Sequence, residues 1–161
     1  MKRIILAATA ALAMTSASSA QLLQEKNMPL DIAVSIAQEA VTACSAQGYN
    51  VSAAVVDRAG ILRALLRADN AGAHTPEAAR QKAYTSASSR TPTSIMAENI
   101  QKNPTAGELA SIDGFLVLAG GVPVKAGEET IGAIGVGGAP GGQFDEACAL
   151  AALEKVQDQL N

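Results

Sequence analysis

The sequence predicts an α+β domain: an antiparallel sheet of about five strands, with the first and last helices packed on one face. Three observations carry this reading. Apolar residues recur at helical spacing near both ends of the chain. Between those ends, strand-like apolar runs come in clusters, first two and then three. The turns inside each cluster are too short for parallel crossovers, which need about a dozen residues. Neighbouring strands must therefore run antiparallel, and the helices segregate onto a face.

Each element has its own local signal. Pro29-Leu30-Asp31 opens a helix in which Ala33, Ile36, Ala37, Ala40, Val41 and Cys44 form one stripe, and Gly48 closes it. The stretch VSAAVVDRAGILRALLR (51–67) holds two apolar runs split by Asp57-Arg58-Ala59-Gly60, a hairpin with a short glycine turn. In 74–89, Thr75 stands as the expected N-cap, Pro76 at the first helical position and Glu77 in the first turn. A short helix over 94–101 follows Pro92, and 102–113 reads as a loop. Three strands are expected at 114–121, 122–129 and 130–138, turning at Gly120-Gly121 and Gly127-Glu128. The last helix starts near Gln143 and aligns Ala149, Ala152, Leu153, Val156 and Leu160.

Composition narrows the function classes. Lys2 and Arg3 precede an apolar run from Ile4 to Met14 and small residues ending Ser18-Ser19-Ala20. That is the pattern of a secretory signal peptide cleaved after Ala20, with an apolar centre shorter than the ~20 residues of a membrane span. The expected product is a single domain over 21–161, periplasmic or secreted, with no stable membrane span. Losing Lys2 and Arg3 leaves ten cations against fifteen acids, a net charge of −5. No basic cluster, no Trp and only two Phe and two Tyr argue against nucleic acid, which needs cationic tracks and stacking platforms. A core with 48% hydrophobic residues must then be built from Ala, Val, Ile and Leu. Cys44 and Cys148 fall on the first and last helices. If those helices pack antiparallel, a disulfide between them becomes possible; two buried free thiols are the alternative.

The glycine-rich stretch IGAIGVGGAPGGQFDEACA (131–149) does not make a dinucleotide fingerprint. Counting G-x-G-x-x-G from Gly135 reaches Pro140 at the third glycine position, and counting from Gly132 meets Ile134 at the second. A P-loop lysine is also absent. Two readings stay open. The amides at Gly141, Gly142 and Gln143 can cradle a carboxylate or phosphate at the start of the last helix. Alternatively, Asp145 and Glu146 cap that end internally.

His74 is the only histidine. Alone it cannot build a zinc site, but one imidazole suffices as an axial ligand of haem iron; the plainer alternative is a surface histidine. Arg80 and Lys82, with Tyr84 and Thr85 near them, can pair with a carboxylate ligand or simply form a solvated helix face. No nucleophile, base and acid sit at catalytic spacing, and Asp113 and Asp145 have no local link, so a conventional enzyme is not expected.

The motif KAYTS within Ala79–Ser86, GFLVLAGGVPV (114–124), and IGAIGVGG followed by DEACA (145–149) together resemble the GlcG/HbpS-like family. That family also supplies the C-terminal domain of PduO-type cobalamin adenosyltransferases. The resemblance covers about residues 24–160. It implies a profilin-like fold, assembly into homo-oligomers, and haem as the bound cofactor, in haem or iron handling or redox sensing. It also implies that the glycine bend is mainly architectural. His74 and Lys82 to Thr85 match the segment linked to ligand contact: His74 as axial ligand, Arg80 and Lys82 toward the propionates, Thr85 as an oxygen contact. The turn serine of the family is Gly137 here. Leu65, Leu66 and Met96 are expected to wall the porphyrin. The competing expectations are a module for a small anionic metabolite seated at Gly141 and Gly142, and a subunit without ligand.

Overall fold

The computed structural model describes residues 21–160; the expected signal segment, residues 1–20, lies outside the described residues. In chain order the elements are α1 (Leu30–Ser45), β1 (Ser52–Asp57), β2 (Leu62–Arg67), α2 (Thr75–Ser89) and α3 (Thr93–Lys102). A 3-10 stretch (Pro104–Ser111) leads to β3 (Gly121–Ala126), β4 (Glu129–Gly137) and α4 (Gly142–Lys155), and a short 3-10 turn (Gln157–Gln159) ends the chain. The strands form one sheet in the order β2-β1-β4-β3, and every neighbouring pair is antiparallel. Among the described residues, no helix is long and apolar enough to cross a membrane.

Strand alternation divides the sheet into two unlike faces. Ala53 and Val55 of β1, Val122 and Val124 of β3, and Ile134 and Val136 of β4 point into the main core. There they meet Ile36, Ala37, Ala40 and Cys44 of α1 and Cys148, Ala149 and Ala152 of α4. The β3–β4 register skips Ile131, and this bulge turns Ile131 into the same core. The opposite face is made small: Ala54, Val56, Ala133, Gly135 and Gly137, with β1 and β4 in register. Helix α2 lies on it through Ala79, Ala83 and Ala87.

That second contact answers what the glycines of β4 are for. A Cβ on Gly135 would overlap the Ala79 carbonyl and stand 2.5 Å from the Ala83 amide. A Cβ on Gly121 would likewise overlap the Lys82 carbonyl. The helix backbone rides directly on the strand backbone. A core without large aromatics gains cohesion through this close approach rather than through side-chain bulk.

The sheet has four strands where about five were expected, because GFLVL does not join it. Its backbone is engaged by threonine side chains instead. The Leu116 amide donates to Thr85 Oγ1 at 2.8 Å, and Thr93 Oγ1 donates to the Leu118 carbonyl at 2.7 Å and accepts from the Gly121 amide at 2.9 Å. Phe115 stacks edge-on against Tyr84, fixing the segment over α2. The expected loop at 102–113 holds the 3-10 stretch. At the start of α2, Thr75 is not the cap: its hydroxyl donates to the Gly72 carbonyl and pairs with Ser52 Oγ, both at 2.8 Å, and His74 takes the cap position.

Cys44 and Cys148 are joined in a disulfide with a Cα–Cα separation of 5.4 Å, so the antiparallel alternative holds. The bridge spans 104 residues, and such a loop closure contributes on the order of 4 kcal/mol in the entropic account.

Replacing Gly135 by Ala should cost about 3 kcal/mol or more, read from urea unfolding midpoints, since backbone atoms of α2 cannot yield. Gly127→Ala, at a β-turn with open space but φ of 65°, should cost only about 1 kcal/mol.

Candidate functional site

Helix α2 carries four of the expected site residues, and the fold treats each differently. His74 lies at the exposed start of the helix, its ring folded back over Gly72. Among the described residues its imidazole makes no hydrogen bond, so both ring nitrogens are available from outside. Six residues later, Arg80 grips Glu77 with two hydrogen bonds, 2.9 Å from Nε and 2.7 Å from Nη2. These bonds hold the Glu77 carboxyl below its ordinary value and raise the Arg80 guanidinium above its own.

Lys82 has turned inward. It is 1% exposed, and its ammonium donates to Asp145 Oδ2 at 2.8 Å and to the Val136 carbonyl at 2.9 Å. Asp145 Oδ1 accepts from the Ala139 amide at 3.0 Å. One ion pair thus joins α2, the end of β4, the glycine bend and α4. Lys82 and His74 are eight residues apart on the helix, about 12 Å of rise, so the lysine does not share a site with the imidazole. Buried behind this pair, Thr85 spends its hydroxyl on the Gln81 carbonyl and the Leu116 amide.

The glycines at the start of α4 meet protein rather than open space. Gly142 lies against Ala119, where a Cβ would stand 2.7 Å from the carbonyl oxygen. The Gln143 side chain folds over Gly141. Both acids of the first turn are occupied: Asp145 with Lys82, and Glu146 with Ser94 Oγ at 2.7 Å and the Gly120 amide at 3.3 Å. An adjoining cleft of about 190 Å³, lined by Ser94, Ala119, Gln143, Glu146, Ala147 and Leu150, therefore carries a carboxylate at its wall.

Other open clefts lie away from α2's start. One of about 440 Å³ is lined by Leu23, Glu25, Asn27, Arg58, Ala59 and Arg90, and a second of about 420 Å³ shares both arginines. Arg58, expected only as a residue of the first hairpin turn, bridges Glu25 at 3.2 Å and Glu129 at 2.8 Å and ties the N-terminal segment to two hairpin tips. A more apolar cleft of about 290 Å³ runs between Ile32, Ala126, Ile131 and Leu160. His74 lines none of these four clefts. Of the expected walls, Leu65 and Leu66 are half-buried on β2, and Met96 is buried on α3.

One signal in the sequence pointed to the fate of Lys82. Thr75, Ala79, Lys82 and Ser86 fall at i, i+4, i+7 and i+11, the spacing of a buried stripe. What the stripe could not name was the partner, 63 residues further on.

Lys82→Met should destabilise the protein by about 3 kcal/mol, because Asp145 is left buried without its counter-charge. The paired replacement Lys82→Met with Asp145→Leu should recover much of that loss in the same denaturation experiment. Arg80→Ala should let the Glu77 carboxyl rise toward its ordinary value in a carbon-13 NMR titration. A depressed carboxyl adds stability above its unfolded pKa and loses it as pH falls through the folded one. This pair is exposed, so the contribution is under ~0.5 kcal/mol and the melting point of Arg80→Ala should stay within about 2 °C.

Comparison with known proteins places this geometry. The family model described as haem degrading protein HbpS-like matches residues 28–154. A double mutant of HbpS from Streptomyces reticuli superposes with a TM-score of 0.80 at 39% identity, covering 91% of this chain and 98% of that one. Protein ORFY of Klebsiella pneumoniae shares the fold at 24% identity, with a TM-score of 0.79 over 86% of this chain and 96% of its own. The PduOC chain of a haem complex shares it at 21% identity, with a TM-score of 0.73 over 80% and 94%. No curated protein matches the chain. A matching family model over most of the described residues, and a relative this similar over nearly its whole length, lead to one conclusion: the chain belongs to the HbpS-like family.

Proposed function

We propose that this chain is an exported, oligomeric haem-binding protein that serves haem or iron handling or redox sensing. The observation that carries the reading is membership of a family described as haem degrading, with 39% identity to HbpS over 91% of the chain. PduOC, a more distant relative in fold, was solved as a haem complex. Export rests on the leader pattern Lys2, Arg3, Ile4–Met14 and Ala20.

The chain's residues fit such a ligand in part. When bound, haem supplies an iron with open axial positions and two propionate carboxylates. His74 offers an unengaged imidazole at the surface and is the proposed axial ligand. Arg80 is the cation on α2 that faces solvent and can exchange Glu77 for a propionate. Lys82 is held by Asp145 and supports the scaffold rather than the ligand. Among the described residues, His74 lines none of the four clefts above. The dry wall that a porphyrin requires would come from a second subunit covering that face, which is why oligomerisation belongs to the proposal.

A small anion at the amides of Gly141 and Gly142 is the weaker reading, because Glu146 already lines the adjoining cleft and Gln143 covers Gly141.

Titrating the chain that begins at Gln21 with haemin should give a shifted Soret band. His74→Ala should abolish the shift or weaken binding about ten-fold or more. An unchanged haemin spectrum would sink the haem reading, and a shift that ignores His74→Ala would remove the axial role alone.

A further inference from the structure

We propose that the Cys44–Cys148 bridge is a redox latch on α4: oxidised, it locks α4 to α1; reduced, it lets α4 loosen while the sheet and α2 stay folded. α4 packs on β3 and β4 on one side, and against α1 it presents small side chains. Its buried face consists of Asp145, Cys148, Ala149 and Ala152, and α1 answers with Ala33, Ile36, Ala37, Ala40 and Cys44. Alanine-on-alanine contacts remove little apolar area from water, so the seam gains little from burial. Beyond the bridge, the start of α4 is tethered by Lys82 to Asp145 and by Glu146 to Ser94 and the Gly120 amide. Val156 and Leu160 anchor its far end.

The α2 face of the sheet does not share this dependence. Helix α2 rests on the face of β1 and β4 opposite α4, through Ala79, Ala83 and Ala87 against Val56, Ala133 and Gly135. The elements with the deepest backbone approach thus keep that contact whether or not the bridge is closed; their tie to α4 is the Lys82–Asp145 pair at its first turn, and opening the bridge acts on α4 beyond that turn.

Reduction is itself gated by the same seam. Both cysteines are 0% exposed. Gln47 Nε2 lies 3.9 Å from Cys148 Sγ, and Tyr49, five residues after Cys44, packs on Phe144, four before Cys148, with ring centroids 5.6 Å apart. A thiolate must reach a sulfur to attack it, so a dithiol reductant acts only when α1 and α4 part. The exchange balances through a mixed disulfide. The dithiol gives up two electrons and two protons and leaves as a cyclic disulfide, and Cys44 and Cys148 become thiols. An extracytoplasmic thiol–disulfide oxidoreductase is the class of enzyme that would set this latch.

The test is hydrogen exchange by mass spectrometry on the oxidised chain from Gln21, before and after dithiothreitol, with reduction verified by a gain of two hydrogens. Amides of α4 should exchange about ten-fold or more faster after reduction, while those of β1, β4 and α2 change little. The double variant C44S/C148S should reproduce the reduced pattern. Should that variant fail to fold, the reduced wild-type chain still gives the reading. Unchanged α4 exchange after verified reduction overturns the proposal, and so does an equal rise across all elements. Complete resistance of the bridge to dithiothreitol under native conditions overturns it as well.

Discussion

How closely α2 can approach the sheet governs the rest of this structure. With no Trp and four other aromatic rings in the whole chain, bulky side chains cannot fill the space between layers. The solution is to remove the space. Gly135 and Gly121 leave nothing between strand and helix backbones, and the helix meets them with Ala79 and Ala83. Such a contact has many small dispersion terms and a short tolerance for error. It explains why Ala133, Gly135 and Gly137 keep one face of β4 small, and why glycines recur there without a dinucleotide fingerprint.

The buried ion pair follows from that approach. Once α2 lies flat on the sheet, the i+7 position of its inner stripe faces the end of β4, and Lys82 occupies it. An ammonium in such surroundings needs a counter-charge and an acceptor, and it finds both in Asp145 and the Val136 carbonyl. A residue that looks like a ligand contact in the linear sequence is thereby spent on architecture, and the glycine bend is spanned by Asp145 through the Ala139 amide. The surface chemistry of α2 is left to His74 and Arg80. The proposed haem-binding role is therefore concentrated on few groups of this face.

Redox and packing meet on the opposite face. There α1 and α4 are joined by small residues and one covalent bond, whereas the α2 face is joined by continuous backbone contact. The two faces of one sheet thus differ in what they depend on, and a chemical change at the cysteines acts on one of them.

Much of this was legible in the chain itself. Helical spacing, the Asp57–Gly60 turn and the short strand connections dictated the element order, the antiparallel sheet and the shared face of α1 and α4, because those signals depend on residues close in sequence. The motifs KAYTS and IGAIGVGG carried the family. Tertiary structure alone decided what depends on partners far along the chain. GFLVL has the composition of a strand, yet the hydroxyls of Thr85 and Thr93, folded beside it, took its backbone groups and kept it out of the sheet. The pairings of Lys82 with Asp145 and of Cys44 with Cys148 exist only where the layers pack together. Local periodicity reports which side of an element is buried; which atom waits on that side is set by packing between elements a hundred residues apart.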